Sequence, residues 1–133
     1  MGSAEGAQRR ARAQGARHEQ LQAELRSLDP TMAEWADRFV FDEVWGREGM
    51  SQDERMLVAI TALAATEHPA QLRNYLHGAL QAGVSARKIH EALLMMVVYA
   101  GFPATLGSLA VWKEVVESAR RHGVAVDLPI DEP

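Results

Sequence analysis

The stretch MLVAITALAA, residues 56–65, is apolar on almost every side of a helix, and it limits the folds open to this chain. Ser51 and Glu54 stand three residues apart just before it, which is the spacing of a capping box. A helix that is apolar all round must be covered by other elements. The sequence therefore predicts a central helix that starts after Ser51, with further helices packed around it.

The neighbouring segments carry helix-start and helix-stop signals of the same kind. Asp29 and Pro30 combine a capping residue with a proline favoured in the first turn, and Ser85 precedes another apolar repeat. Gly83 and Gly123 stand where helices typically end. No strand-like alternation with hairpin turns appears. We predict an all-α fold, a compact bundle of about six helices.

The segment after Pro30 repeats its apolar residues at helical intervals, which predicts that one face of it points to the core. The residues expected on that face are Met32, Trp35, Ala36, Phe39, Val40 and Val44.

The two ends of the chain differ in composition from its middle. Residues 1–17 are mostly Gly, Ala, Gln and Arg, with too little apolar bulk to pack, so we expect a disordered N-terminal arm. Residues 18–125 are predicted to form one helical domain, and residues 126–133 an acidic C-terminal tail along the surface. A single domain of ordinary size suits a chain of 133 residues.

Composition excludes several classes of function. The chain has no cysteine, so it has no disulfide, thiolate metal site or thiol peroxidase chemistry. Its net charge of −4 has the wrong sign for a nucleic-acid binder. No apolar run approaches the roughly 18 residues of a membrane span, and the first residues lack the apolar segment of a secretory signal. We expect a cytoplasmic protein without nucleic-acid or membrane partners.

The histidines do not predict a metal site. No two of them stand at ligand spacing on one helix face, and the neighbours His90 and Glu91 point about 100° apart. No phosphate-binding glycine loop or dinucleotide fingerprint appears either. We therefore expect neither a metal nor a cofactor.

The segment NYLHGALQAGVS, residues 74–85, holds a tyrosine and a histidine two positions apart. At about 100° per residue, Tyr75 lies at the edge of the apolar stripe led by Leu72 and Leu76, and His77 lies about 60° outside it. A core tyrosine and a surface or subunit-contact histidine are the simplest interpretations. A role in a pocket stays open for both, with Tyr75 the better candidate.

Four short motifs in a fixed order carry a resemblance to a known family. They are Asp53-Glu54-Arg55, GALQAGVS at 78–85, Ile89-x-Glu91 and YAGFPA at 99–104. Over residues 29–118 the chain resembles the carboxymuconolactone decarboxylase family, in the alkylhydroperoxidase D-like superfamily. The resemblance implies a helical subunit, a homotrimer or homohexamer, and active sites at or near subunit boundaries. The peroxidase branch needs a cysteine pair, so this chain is not expected to be a peroxidase.

The resemblance also places residues at the family's functional positions. In decarboxylase members the third helix reads His-Val-Arg-Ala-Ala-Leu, and this alignment puts Tyr75 at the family histidine and His77 at its arginine. Members tend to have His or Gln at Met95, and Asn-His where Leu106 and the next glycine stand. Glu54 matches the acid of the peroxidase proton relay, so it stays a candidate acid or base.

Decarboxylation leaves an electron-rich carbon that must be stabilised and then protonated. Replacing His by Tyr raises the ordinary pKa from about 6.5 to about 10, so proton shuttling is lost while a hydrogen-bond donor is kept. The candidate catalytic residues are thus Glu54 as general acid or base, Tyr75 as donor to an enolate, and His77 as a rim cation. The candidate substrate-binding residues are Glu91, Met95, Tyr99 and Leu106.

Three functions fit these residues. One is a cofactor-independent decarboxylase-like lyase acting on a small organic acid or lactone, in aromatic catabolism or secondary metabolism. Another is a diverged biosynthetic cyclase, isomerase or dehydratase that uses the same cavity without decarboxylation. The third is a non-catalytic oligomeric binding protein in which Glu54 only caps its helix.

Overall fold

The computed structural model describes residues 2–129, so Met1 of the predicted arm and residues 130–133 of the predicted tail lie outside it. Those described residues form helices and connecting turns with no strand, which confirms the predicted all-α bundle. The elements are α1 Ala4–Gln14, a 3₁₀ turn Gly15–Arg17, α2 His18–Leu28, α3 Pro30–Trp35, a π-helical segment Ala36–Val44, α4 Gln52–Ala65, α5 Pro69–Gln81, α6 Ala86–Ala100 and α7 Phe102–Arg121. None of these helices combines the length and the apolar character needed to cross a membrane.

Helix α4 begins with the predicted capping box. The Glu54 backbone N–H donates to Ser51 Oγ at 3.1 Å, and the Ser51 N–H donates to Glu54 Oε1 at 2.8 Å. Met56 and Ile60 on α4 are fully buried, but Val58 is 56% exposed. One side of α4 is therefore uncovered in the single subunit, contrary to a helix buried all round.

The core lies between α4, α5, α6 and α7, which pack against one another. Its large and fully buried side chains are Met56, Ile60, Leu72, Leu76, Ile89, Leu93 and Val115. Because the buried positions on α5 and α6 recur three or four residues apart, the apolar stripe read from the sequence is the stripe that packs.

The N-terminal segment differs from the disordered arm expected for residues 1–17, because Ala4–Gln14 form a helix. Helix α1 packs against α5 and the π-helical segment. Arg10 is 8% exposed and its Nη1 lies 2.8 Å from Asp37 Oδ1. Where apolar bulk is missing, a mostly buried ion pair and close backbone contact hold the helix in place.

The close contact occurs where α1 ends against α5. A Cβ placed on Gly78 would lie 1.9 Å from the carbonyl oxygen of Ala13, which is far inside van der Waals contact. Glycine at this position is what allows α1 to lie directly on α5.

The segment Ala36–Val44 accounts for a second difference. Its hydrogen bonds run between residues five apart, as in the 2.8 Å bond from the Trp45 N–H to the Val40 carbonyl. The period assumed for an α-helix does not hold there. Trp35 and Phe39, expected in the core, are 50% and 55% exposed, whereas Phe41 is 2% exposed. The predicted inward face was therefore wrong for Trp35 and Phe39, whereas Val40 packs against the core as expected.

Candidate functional site

Tyr75 lies on α5 and packs on Trp45, which directly follows the π-helical segment. Its ring centroid is 6.3 Å from that of Trp45, which in turn lies 5.5 Å from Phe41. Burial raises the pKa of the Tyr75 phenol above its ordinary 10.0. Within residues 2–129 no hydrogen bond is formed by the hydroxyl. The phenol is thus a neutral donor with its ring fixed by packing.

Glu54 is an exposed residue at the start of α4. Hydrogen bonds from the backbone N–H and the side chain of Ser51 hold the pKa of the carboxyl below its ordinary 4.5, and the charges of Arg55 and Lys88 act in the same direction. At neutral pH Glu54 is therefore a carboxylate. It can accept a proton or stabilise a cation, but it is poorly suited to deliver a proton.

The four predicted substrate-binding residues are exposed in the single subunit. Glu91, Met95 and Tyr99 follow one another at four-residue spacing along α6, so they share one face of that helix. Met95 is 56% exposed, Tyr99 75%, and Leu106 on α7 61%. In the described part of the chain they form part of a surface that is open to solvent.

That surface is apolar and includes residues of three helices, α4, α6 and α7. Helix α6 packs on both α4 and α7. We call this surface the apolar face. Its exposed large residues are Val58, Leu94, Met95, Val98, Tyr99, Phe102 and Leu106. Large exposed apolar surfaces mark contact sites in proteins of this size.

His77 lies on the other side of α5. Two residues along a helix separate side chains by about 160°, so Tyr75 and His77 point in nearly opposite directions. His77 lines a cleft of about 260 Å³ that we call the cationic cleft. Its lining residues come from the end of α1, the 3₁₀ turn, α5 and the end of α7: Gln14, Ala16, Arg17, Arg73, Asn74, His77, Gln81, Ser118, Ala119, His122 and Val124.

The charges in the cationic cleft act on His77. Burial lowers its pKa below the ordinary 6.5, and the positive charges of Arg73, Arg17 and His122 lower it further. His77 is therefore mainly a neutral imidazole near pH 7. The predicted role of a rim cation fits this environment only when an anion is bound nearby.

Three other cavities are lined by none of the predicted site residues. One of about 110 Å³ is lined by residues of α4, α5 and α7, one of about 300 Å³ lies between α6 and α7 next to Leu128, and one of about 240 Å³ lies around Pro30. Across residues 2–129 no group of acidic and histidine side chains is arranged to hold a metal ion. His90 instead accepts a hydrogen bond from Trp112 Nε1 at 3.1 Å.

The sequence reasoning did not find the cationic cleft. Arg73, Asn74, His77 and Gln81 form a polar stripe along α5, and such a stripe is typical of a solvated helix face. The missing signal was the helix that covers one side of the stripe, since residues 1–17 were expected to be disordered. A segment rich in arginine, together with a helix that has a polar face, is the sequence pattern that could have indicated the cleft.

Comparison with protein families gives one match. The sequence profile of the carboxymuconolactone decarboxylase family matches residues 30–114. The matched range begins at α3 and ends within α7, so α1 and α2 precede it. The resemblance inferred from the four motifs is thereby confirmed.

Three curated relatives share part of the chain. The 4-carboxymuconolactone decarboxylase of Acinetobacter baylyi is 31% identical over 91 residues, covering 68% of each protein. The nitrosuccinic acid decarboxylase npaB of Metarhizium robertsii is 27% identical over 85 residues, which are 64% of this chain and 57% of that enzyme. An uncharacterised 15.0 kDa protein of Paracoccus denitrificans is 32% identical over 94 residues, covering 68% of this chain and 69% of that protein.

Proposed function

We propose that this chain, which belongs to the carboxymuconolactone decarboxylase family, is a cofactor-independent decarboxylase-like lyase acting on a small organic acid or lactone. Two relatives that carry the name decarboxylase support the reaction class. The observation that carries the proposal is the Tyr75 hydroxyl, a neutral donor that makes no hydrogen bond within residues 2–129.

In the proposed reaction the bond between the carboxylate carbon and the adjacent carbon breaks, and carbon dioxide leaves. The bonding electron pair stays on the substrate and is taken up by a neighbouring carbonyl, whose oxygen becomes an enolate. Tyr75 donates a hydrogen bond to that oxygen, which stabilises the charge where it develops. Water then protonates the carbon, the product leaves, and the hydroxide that remains combines with the released carbon dioxide as bicarbonate. Because burial raises the pKa of Tyr75, the donor keeps its proton throughout the neutral range.

Glu54 acts in this proposal as a carboxylate that orients the water or the substrate proton. Its Oε1 already accepts from the Ser51 N–H, so in this role Glu54 keeps its capping bond. The lowered pKa argues against Glu54 as the proton donor. If a second subunit covers this end of α4, desolvation would raise the pKa again and make Glu54 a better base.

We further propose that the apolar face is the contact between copies of this chain in a homotrimer or homohexamer. Val98 and Tyr99 are about three quarters exposed, and Phe102 is 69% exposed, so a single subunit leaves much apolar area in water. A second copy would cover these residues. Glu91, Met95, Tyr99 and Leu106 would then border a site at the subunit boundary.

The proposal is tested by incubating the protein with 4-carboxymuconolactone and with nitrosuccinic acid, the acids named in its relatives. Released carbon dioxide is quantified, and the product mass is measured. We expect one carbon dioxide per product molecule with at least one of these acids or a close analogue. A product of unchanged mass, or one that has lost only water, would contradict decarboxylation and support the cyclase, isomerase or dehydratase alternative.

One observation favours a second candidate, a non-catalytic oligomeric binding protein. The capping box already uses both the Glu54 backbone N–H and one of its carboxylate oxygens, so Glu54 has a complete structural role without chemistry. In that case the purified oligomer would bind small acids without turning any of them over. Measuring binding and turnover on the same sample separates the two candidates.

A further inference from the structure

We propose that the cationic cleft binds a small dicarboxylate, at a site separate from the one that contains Tyr75. This inference does not rest on the proposed function, because it uses different residues on the opposite side of α5. It also lies partly outside the family match, since Arg17 precedes residue 30 and His122 follows residue 114.

The first argument is charge. The lining includes two arginines and two histidines, and no lining residue is acidic. The whole chain carries a net charge of −4, so the cleft is a local concentration of positive charge on an acidic protein. A cleft of one sign concentrates small ions of the opposite sign.

The second argument is the state of the two arginines. Arg17 Nε has one weak hydrogen bond, at 3.5 Å to Gln20 Oε1, and no ion pair with a carboxylate of residues 2–129. Arg73 Nη2 lies 3.1 Å from Glu114 Oε2, whose side chain is 65% exposed at the edge of the cleft. One guanidinium is thus without a counter-ion and the other has an exposed one, which a bound anion can replace.

The third argument is geometry. Arg17 comes from the 3₁₀ turn and Arg73 from α5, two elements that pack against each other. A guanidinium binds a carboxylate through two parallel hydrogen bonds. Two guanidinium groups on neighbouring walls therefore suit a ligand with a carboxylate at each end. A cleft of about 260 Å³ has room for a small acid of this kind.

Further polar groups complete the cleft. His122 Nδ1 lies 2.8 Å from the Ser118 carbonyl, and a carbonyl only accepts, so Nδ1 carries a proton and Nε2 is left for a ligand. Gln81 Oε1 accepts from the Ala16 N–H at 2.7 Å, which leaves the Gln81 amino group as a donor. Gln14 Oε1 is buried without a hydrogen-bond partner in residues 2–129, so a hydroxyl on the ligand would satisfy it.

The test is isothermal titration of the full-length protein with succinate and, in parallel, with inorganic phosphate. Arg17→Gln and Arg73→Gln are each expected to weaken succinate binding about ten- to a hundredfold, because each removes a charge-assisted pair. Glu114→Gln is expected to strengthen binding, because it removes the carboxylate that competes for Arg73. Arg38→Gln is the matched control, because Arg38 lies on the π-helical segment and pairs with Glu34 of α3. This variant should bind succinate like the wild type.

The opposite results overturn the proposal. Unchanged succinate affinity in Arg17→Gln and Arg73→Gln would mean that the cleft is not the site. Weaker succinate binding in Glu114→Gln would mean that the arginines stabilise the fold and do not contact the ligand. Phosphate binding as tight as succinate binding would contradict the dicarboxylate assignment.

A measurement on the wild-type protein does not depend on the folding of any variant. The ring signals of His77 are followed by NMR over a pH titration, with and without succinate. A dianion bound among Arg17, Arg73 and His77 should raise the lowered pKa of His77, with the Glu114 side chain at the edge opposing part of the ligand's attraction to Arg73. Identical titration curves with and without succinate would contradict binding in this cleft.

Discussion

Tyr75 and His77 stand two residues apart on α5 and serve opposite sides of the subunit. The ring centroid of Tyr75 lies 6.3 Å from that of Trp45. His77 instead lines the cationic cleft between α1, α5 and α7. A single subunit therefore cannot use both side chains on one small substrate. Substitutions at the two positions should have separable effects.

The apolar face predicts an oligomer that a single charge can disrupt. Val98 is 74% exposed on α6, and Val98→Glu would place a carboxylate in the proposed subunit contact, where it could not be hydrated. We expect the wild type to sediment as a trimer or larger and Val98→Glu to shift towards the monomer. Ala23→Glu, on the exposed side of α2, adds the same charge elsewhere and should leave the assembly unchanged. A monomeric wild type in dilute neutral buffer would contradict the proposed contact.

The capping box predicts how Glu54→Gln depends on pH. The pKa of Glu54 is lowered in the folded protein, so its carboxylate contributes stability above the ordinary value of 4.5, and this contribution is lost as the pH falls through the lowered pKa. Glutamine keeps the cap without titrating. Thermal melts are recorded between about pH 3 and pH 7, the range in which carboxyl groups titrate. The melting temperature should change less with pH for Glu54→Gln than for the wild type.

Activity adds a second readout for the same variant. If Glu54 is a catalytic base, Glu54→Gln loses turnover at a neutral pH and a temperature at which both proteins remain folded. Unchanged turnover would assign Glu54 a capping role only. Ser51→Ala serves as the comparison, because it removes the other half of the cap and should cost about 0.5–2 kcal/mol of stability at neutral pH.

The contact between α1 and α5 predicts a clash in Gly78→Ala. The new Cβ would lie 1.9 Å from the Ala13 carbonyl oxygen, so α1 must move away from α5. We expect a loss of about 1–3 kcal/mol and faster amide exchange in α1 than in α6. Gly107→Ala is the matched control, since no atom lies within 4 Å of a Cβ at that helical glycine. Its expected effect is a gain of up to about 1 kcal/mol. Equal exchange rates in α1 for Gly78→Ala and wild type would refute the contact.

The lowered pKa of His77 predicts that the folded protein loses stability in mild acid. Its pKa is lowered by burial and by Arg73, Arg17 and His122, with Glu114 paired to Arg73 at the edge of the same cleft. The folded state thus binds fewer protons than the unfolded state just below pH 6.5, so stability falls as the pH drops below that value. His77→Gln should show a flatter profile than the wild type between about pH 6.5 and 5. Parallel profiles would contradict the lowered pKa.

Features that depend on neighbouring residues were predictable from the sequence. Ser51 and Asp29 cap their helices as expected, with Asp29 Oδ1 accepting from the Thr31 N–H at 2.7 Å. The half-buried edge position of Tyr75 on α5 also followed from helical geometry, because Leu72 and Leu76 are buried. These signals lie within a few residues of the feature that they determine.

Features that depend on distant residues were not predictable. Helix α1 is held by the pair of Arg10 with Asp37, 27 residues away, and by the absence of a side chain at Gly78. Composition alone cannot show that such partners meet. The cationic cleft was missed for the same reason, since α1 and the following 3₁₀ turn form one of its walls. In the π-helical segment that contains Phe41, hydrogen bonds join residues five apart instead of four. The side chains that face the core there therefore differ from those expected for an α-helix.

The most direct test of the account is Tyr75→Phe, which removes the phenol hydroxyl and keeps the ring that packs on Trp45. We measure carbon dioxide release with the acid that the wild type decarboxylates, and the melting temperature of both proteins. The account predicts a fall in kcat of about 10²–10³, the cost of removing one donor to a developing oxyanion, with little change in KM or melting temperature. Wild-type kcat in Tyr75→Phe would contradict it.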